Sequence, residues 1–121
     1  MVPNYTRILA HFKNSVHEGF FKTNSPHREG PGITLMDNSA CIVGNYRNDQ
    51  LHGQTLLFLS FDTYAIAEFN KGMLDGAFVI RSPKTTVYSE IKSNKIDGEI
   101  LIINYEQLRA QLWTIEADGI G

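Results

Sequence analysis

Four glycines in this chain each follow a histidine or an aspartate: His52-Gly53, Asp75-Gly76, Asp97-Gly98 and Asp118-Gly119, at intervals of 23, 22 and 21 residues. No other feature constrains the fold as much. A unit of roughly 20–25 residues is a single supersecondary element that buries its apolar side only by stacking on its neighbours. A fifth pair, Glu18-Gly19, lies 34 residues before Gly53, and that interval calls for an insertion. Counting back seven positions from each glycine gives a large apolar residue every time: Phe12, Tyr46, Phe69, Ile91 and Leu112. Two positions earlier stand Ala10, Gly44, Ala67, Ser89 and Ala110, and four earlier Ile8, Ile42, Ala65, Val87 and Leu108.

Apolar, small and large residues two apart follow the period of a strand that buries one face, not of a helix. Turn formers come next, as in Arg47-Asn48-Asp49, Asn70-Lys71-Gly72 and Lys92-Ser93-Asn94. A second strand then opens at each glycine, over residues 55–61, 77–81 and 99–105, rich in Ile, Leu, Val and Phe. The expected fold is all-β, an antiparallel meander of hairpin repeats in one domain of 121 residues. Its units run over about 5–22, 40–62, 63–85, 86–106 and 107–121, with a loop insertion over about 23–39. Ile42, Tyr46, Phe69, Val87, Ile91, Leu108 and Leu112 are expected on one largely buried face. Gly53, Gly76 and Gly98 are expected at equivalent backbone positions, and no helix of more than three turns is expected between residues 42 and 115. A small residue between two large ones lets a neighbouring ring lie flat over the strand.

The pattern resembles the MORN (membrane occupation and recognition nexus) repeat, whose unit runs Tyr-x-Gly-x-Trp, two variable residues, Gly, three positions usually ending in His, and Gly-x-Gly. Gly44, Tyr46, His52 and Gly53 match it in one unit, and Phe69, Gly72, Asp75 and Gly76 in the next. Asp118-Gly119-Ile120-Gly121 keeps the closing Gly-x-Gly. The Trp position instead holds Phe, Tyr, Ile or Leu, and the last glycine is replaced by Phe21, Thr55, Phe78 and Ile100. The resemblance covers residues 5–22 and 40–121. It implies an elongated, twisted single-layer sheet with an aromatic groove on one face, serving protein–protein contact or association with membranes and the cytoskeleton. It implies no reaction. Gly19, Gly44, Gly53, Gly72, Gly76, Gly98 and Gly119 are then the structural glycines of the repeat.

Charge narrows the partners. Eleven Lys and Arg against thirteen Asp and Glu leave a net charge of -2, so no basic field exists to attract nucleic acid. The longest apolar runs, residues 56–59 and 100–103, are far shorter than a membrane-spanning helix. Residues 1–7 lack the features of a secretory signal, and the lone Cys41 excludes an intramolecular disulfide, which points to an intracellular setting, cytoplasmic or cytoskeletal.

Residues suited to chemistry do not converge. His11 and His17 are six apart without cysteine partners, so no metal site is expected; His52 fills a column that other units fill with acids. Asp75, Asp97 and Asp118 stand one per repeat and are expected to accept backbone N–H groups in their own turns. Gly30-Pro31-Gly32 is followed by no Lys-Ser/Thr and is no phosphate loop, and Cys41 lies in an apolar strand as a core residue. No catalytic residue, cofactor or metal is assigned. The leading expectation is a non-catalytic interaction or scaffold module, an accessory subunit of a larger assembly, contacting a protein partner or a second copy through a sheet edge. A peripheral phospholipid-associating protein is the alternative, although Lys22, Arg28, Lys71, Lys92 and Lys95 are interleaved with acids, and a small enzyme is a third. The sequence stops within a repeat unit, so residues 108–114 are expected to form an open edge strand anchored by Trp113. Leu112, Tyr46, Phe69 and the loop residues His27 and Arg28 complete the expected contact set.

Overall fold

A computed structural model describes residues 4–115. Its elements are strands: β1 (Tyr5–His11), β2 (Ser15–Lys22), β3 (Arg28–Met36), β4 (Cys41–Arg47), β5 (Gln50–Leu51), β6 (Gly53–Phe58), β7 (Tyr64–Asn70), β8 (Met73–Arg81), β9 (Thr85–Lys92), β10 (Lys95–Asn104) and β11 (Arg109–Ile115). All join one sheet in the order β1-β2-β3-β4-β6-β7-β8-β9-β10-β11, with β5 on β4, and every pair is antiparallel. The expected all-β hairpin meander is what the chain forms, without a helix among the described residues.

Three hairpins close on two-residue tips: Asn48-Asp49, Lys71-Gly72 and Ser93-Asn94. Both residues of each tip have positive φ, between +49° and +82°. That is the mirror-image turn whose twist matches the twist of the flanking strands. The second tip residue donates its N–H to the preceding hairpin: Asp49 to Arg28 O at 3.0 Å, Gly72 to Leu51 O at 2.9 Å, Asn94 to Leu74 O at 2.9 Å. Where that residue has a side chain, its oxygen accepts a backbone N–H in return, Asp49 Oδ1 from Arg28 at 3.1 Å and Asn94 Oδ1 from Leu74 at 2.7 Å. Each tip is thereby stapled to the hairpin before it. Asp75 and Asp97 make no such bond among the described residues; the capping oxygens sit at the tips instead.

Gly30, Gly53, Gly76 and Gly98 all have positive φ (+75°, +89°, +126° and +92°), so the expected equivalence of the last three holds and Gly30 joins them. The segment expected as an insertion over 23–39 is in fact largely strand β3, paired on both sides. Pro31 fits there because the register of β2 and β3 slips between Gly19 and Phe20, and the extra residues Gly30 and Pro31 need no ladder bond to β2. β1 runs opposite to β4, β7 and β9, so it is not the first strand of a unit; β2 is. The repeating columns are therefore His17, Ile42, Ala65, Val87 and Gln111, then Gly19, Gly44, Ala67, Ser89 and Trp113. The first column recurs at 25, 23, 22 and 24 residues.

Cross-strand partners divide the sheet into two faces. One face holds the buried residues His17, Phe21, Thr34, Tyr46, Thr55, Ala65, Ala67 and Ile91, while Thr86, paired with Arg81 and Ile103, is buried on the other. The other carries a row in unbroken register, Leu9, Glu18, Ile33, Val43, Leu56, Ile66, Val79, Tyr88, Leu101 and Leu112, of which none is buried. We call these the buried and the open face. Of the seven residues expected together, Ile42, Tyr46, Phe69, Val87 and Ile91 share the buried face, with Tyr46 and Ile91 fully buried and the other three half-buried. Leu112 pairs with Leu101 and lies on the open face, 61% exposed, and Leu108 precedes β11 at 91% exposure. The expected phase of the last unit was off by three residues. Phe61 likewise lies beyond the end of β6, fully exposed.

Candidate functional site

The most closely packed polar cluster sits on the buried face across β2, β3 and β4. His17 Nδ1 and the Thr34 hydroxyl are 2.7 Å apart, and the same hydroxyl is 2.7 Å from Tyr46 OH. The imidazole meets the Phe21 and Tyr46 rings edge-on, at centroid distances of 5.6 and 4.9 Å. It lies across Gly19 and Gly32: a Cβ on Gly32 would fall 2.5 Å from His17 Cε1, and one on Gly19 2.7 Å from Nε2. Gly19 is thus a packing glycine rather than a turn glycine, as Gly44 is, where a Cβ would meet Thr55 Oγ1 at 2.9 Å.

Arg28 closes the cluster. Its guanidinium lies 4.4 Å from the centre of the Tyr46 ring and 5.9 Å from that of Phe12, and its Nε donates to Asp49 Oδ1 at 2.6 Å. Burial first, then the nearby Arg28 charge, lower the His17 pKa below 6.5, while Asp49 opposes them. Burial works to raise the pKa of Asp49, but hydrogen bonds from Arg28 and its charge hold it below 3.8. The result is a neutral imidazole under a fixed ion pair. Its hydrogen bond with the Thr34 hydroxyl and its edge-on contacts with Phe21 and Tyr46 tie β2, β3 and β4 together.

Of the expected contact residues, Tyr46 and Arg28 belong to this internal cluster, Phe69 is half-buried on β7, and His27 is exposed in the turn between β2 and β3. They do not form one patch with Trp113 and Leu112. Those two project from opposite faces of β11, 56% and 61% exposed, Trp113 paired with Ile100 and Leu112 with Leu101. β11 is last in the sheet order, and no strand among the described residues pairs with its far side. Gly119 and the rest of the Asp118–Gly121 motif fall outside the described residues. Sequence reasoning missed His17 because the glycine rule matched Glu18-Gly19. The signal was the shared spacing of His17-Gly19-Phe21, Ile42-Gly44-Tyr46 and Ala65-Ala67-Phe69.

Among the described residues no group of three His, Cys, Asp or Glu side chains is placed to hold a metal ion, and no helix is long and apolar enough to cross a membrane. The fold defines an open, repeat-like meander of β-hairpins. No protein-family model matches the chain, and no curated protein aligns with it.

Proposed function

We propose that this chain is a non-catalytic protein-interaction module of MORN-like hairpin repeats, which joins a larger assembly by offering strand β11 to a partner. The observation that carries this reading is that β11 ends the sheet order with no strand among the described residues on its far side, and with Trp113 and Leu112 exposed on its two faces. An unpaired edge supplies main-chain donors and acceptors to an incoming strand, and exposed large side chains beside it supply specificity. Tryptophan is the residue type most often energetic at interfaces, where truncation commonly costs more than about 2 kcal/mol.

The test uses Trp113→Ala and Ala110→Pro, the second chosen because the N–H of residue 110 faces away from β10 and proline removes it as a donor to an incoming strand. Molar mass in solution is measured for the chain alone and for the assembly purified from its native source. Weaker association by both variants, with urea midpoints that show a folded chain, is the expected result. Unchanged association of both folded variants would sink the edge reading.

A further inference from the structure

The open face is packed along one flank, where Thr86 is buried with its hydroxyl 2.6 Å from Tyr105 OH and the Phe58 ring meets Tyr64, and its central row stays uncovered. Its central row is apolar on nine of ten strands, broken only by Glu18, yet Leu9, Ile33, Tyr88 and Leu112 remain 60, 47, 43 and 61% exposed. The adjoining row continues the apolar surface with Leu35 and Phe58, 52 and 40% exposed. The row on the other flank is polar, holding Gln54, Glu68, Glu90 and Glu99. The exposed apolar surface is therefore a band about 7 Å or two rows wide from β3 to β7, narrowing to the central row on β8 and β9, where the adjoining row holds Arg81 and Thr86. From Ile33 on β3 to Leu112 on β11 it crosses eight strands, roughly 34 Å at the usual strand spacing.

We propose that this band is the docking track for one amphipathic helix of a partner protein, with Lys or Arg along the flank that meets Glu68, Glu90 and Glu99. The inference rests on the reading of the chain as a protein-binding module, and is independent of the β11 edge. A helix rising 1.5 Å per residue covers the track with about 22 residues. Its single apolar stripe matches a long, narrow band, whereas a second sheet packed face to face would lay apolar side chains over the polar row. Contiguous apolar surface rimmed by polar groups marks an interaction site.

Charge fixes the partner's polarity. Glu68, Glu90 and Glu99 take part in none of the ion pairs formed among the described residues, which join Arg7 to Glu18, Lys22 to Glu29, Arg28 to Asp49 and Lys84 to Glu106. Arg81 stands in the adjoining row on the opposite flank, across from Tyr64 and Thr86. Lys92, paired with Lys95 at the β9–β10 tip, lines a recess with Asp75, Glu90 and Asp97, three carboxylates to one cation. In the cleft of about 420 Å³ formed by Val79, Tyr88, Leu101 and Leu112, the charged lining is Glu90, Asp97 and Glu99, with no cation. That rim repels an anionic bilayer and attracts a basic helix.

The experiment measures fluorescence anisotropy of the full chain with a synthetic 22-residue helix bearing leucines on one face and lysines on one flank. Its comparators are a peptide with glutamates in place of the lysines and an 11-residue half. The lysine peptide should bind at least tenfold more tightly than either, and more weakly as salt rises. Binding should fall at least tenfold in Tyr88→Asp and in the double variant Glu90→Lys/Glu99→Lys, and stay unchanged in Trp113→Ala. The double variant alters exposed side chains, so it keeps the proposal testable if Tyr88→Asp fails to fold. Equal binding of all three peptides, indifference to Glu90→Lys/Glu99→Lys, sedimentation with anionic vesicles, or burial of the band in a dimer of this chain would each overturn the proposal. Failure here alongside loss of the native assembly in Trp113→Ala overturns the helix track and leaves the protein-binding reading standing.

Discussion

Gly32 decides whether His17 keeps its place, because the imidazole occupies the volume that any side chain at residue 32 would need. Gly32 pairs with Gly19 on one side and Gly44 on the other; the ring lies over Gly19 and Gly32, and Thr55 covers Gly44. Gly32→Ala should destabilise by about 1–3 kcal/mol, the usual cost of overpacking a close-packed site. The same change made on a His17→Ala background should cost much less, and equal costs on both backgrounds would show that the ring is not the obstacle. The sign of the pH effect follows from the lowered His17 pKa. As pH falls the unfolded chain takes up that proton first, so the contribution of His17 is complete above 6.5 and is lost as pH drops through the lower value in the fold. Urea midpoints should fall between about pH 7.5 and pH 5 in the native chain, and His17→Gln should flatten that slope.

At the level of the hairpin, the tips carry a local conflict that predicts its own remedy. Ser93 adopts φ +49° although serine gains little from that region, and asparagine is far better suited to the first position of this turn. Ser93→Asn should raise stability by about 0.5 kcal/mol. Asn94→Gly should lower it by about 1 kcal/mol, since relief of the backbone is outweighed by loss of the Leu74 N–H acceptor. Urea denaturation reads both, and stabilisation by Asn94→Gly would show that the staple between hairpins carries no weight. These tips were legible in the sequence, because positive φ at both positions restricts residue choice and leaves a trace in every unit. The glycine phase of the middle three units was legible for the same reason. The first unit was not: Gly30-Pro31-Gly32 has the composition of a loop, and only its two partner strands make it β3. The last unit was mis-phased because Leu108, Ala110 and Leu112 imitate the columns that register assigns to Gln111, Trp113 and Ile115. The contact set scattered because large residues of the repeat serve both faces, and alternation alone does not say which face is covered.

Across the whole molecule each strand meets chiefly its neighbours in the sheet order, with His17 on β2 reaching Tyr46 on β4, so stability is close to a sum of local hairpin terms and interfaces between them. Those interfaces are unequal. In the middle, Thr55 on β6, Ala65 and Ala67 on β7 and Thr86 on β9 have at most 1% of their surface exposed. At the two ends, six of the seven residues of β1 are exposed, as are the six of β11 from Arg109 to Thr114. An edge strand also pairs through one side alone, so it opens without disturbing the rest. Amide hydrogen exchange should therefore be graded, slowest in β6, β7 and β9 and faster by orders of magnitude in β1 and β11. Uniform protection along the chain would mean that the sheet opens as one cooperative body, which the nearest-neighbour contacts do not support. The gradient also predicts where a partner acts. Anything that pairs with β11 gives it a second neighbour and should raise protection there first, with the effect fading towards β7. A helix laid over the open-face band touches every strand from β3 to β11 and should raise protection along the whole track at once. Exchange measured with and without a bound partner thus distinguishes edge pairing from face docking on a single sample.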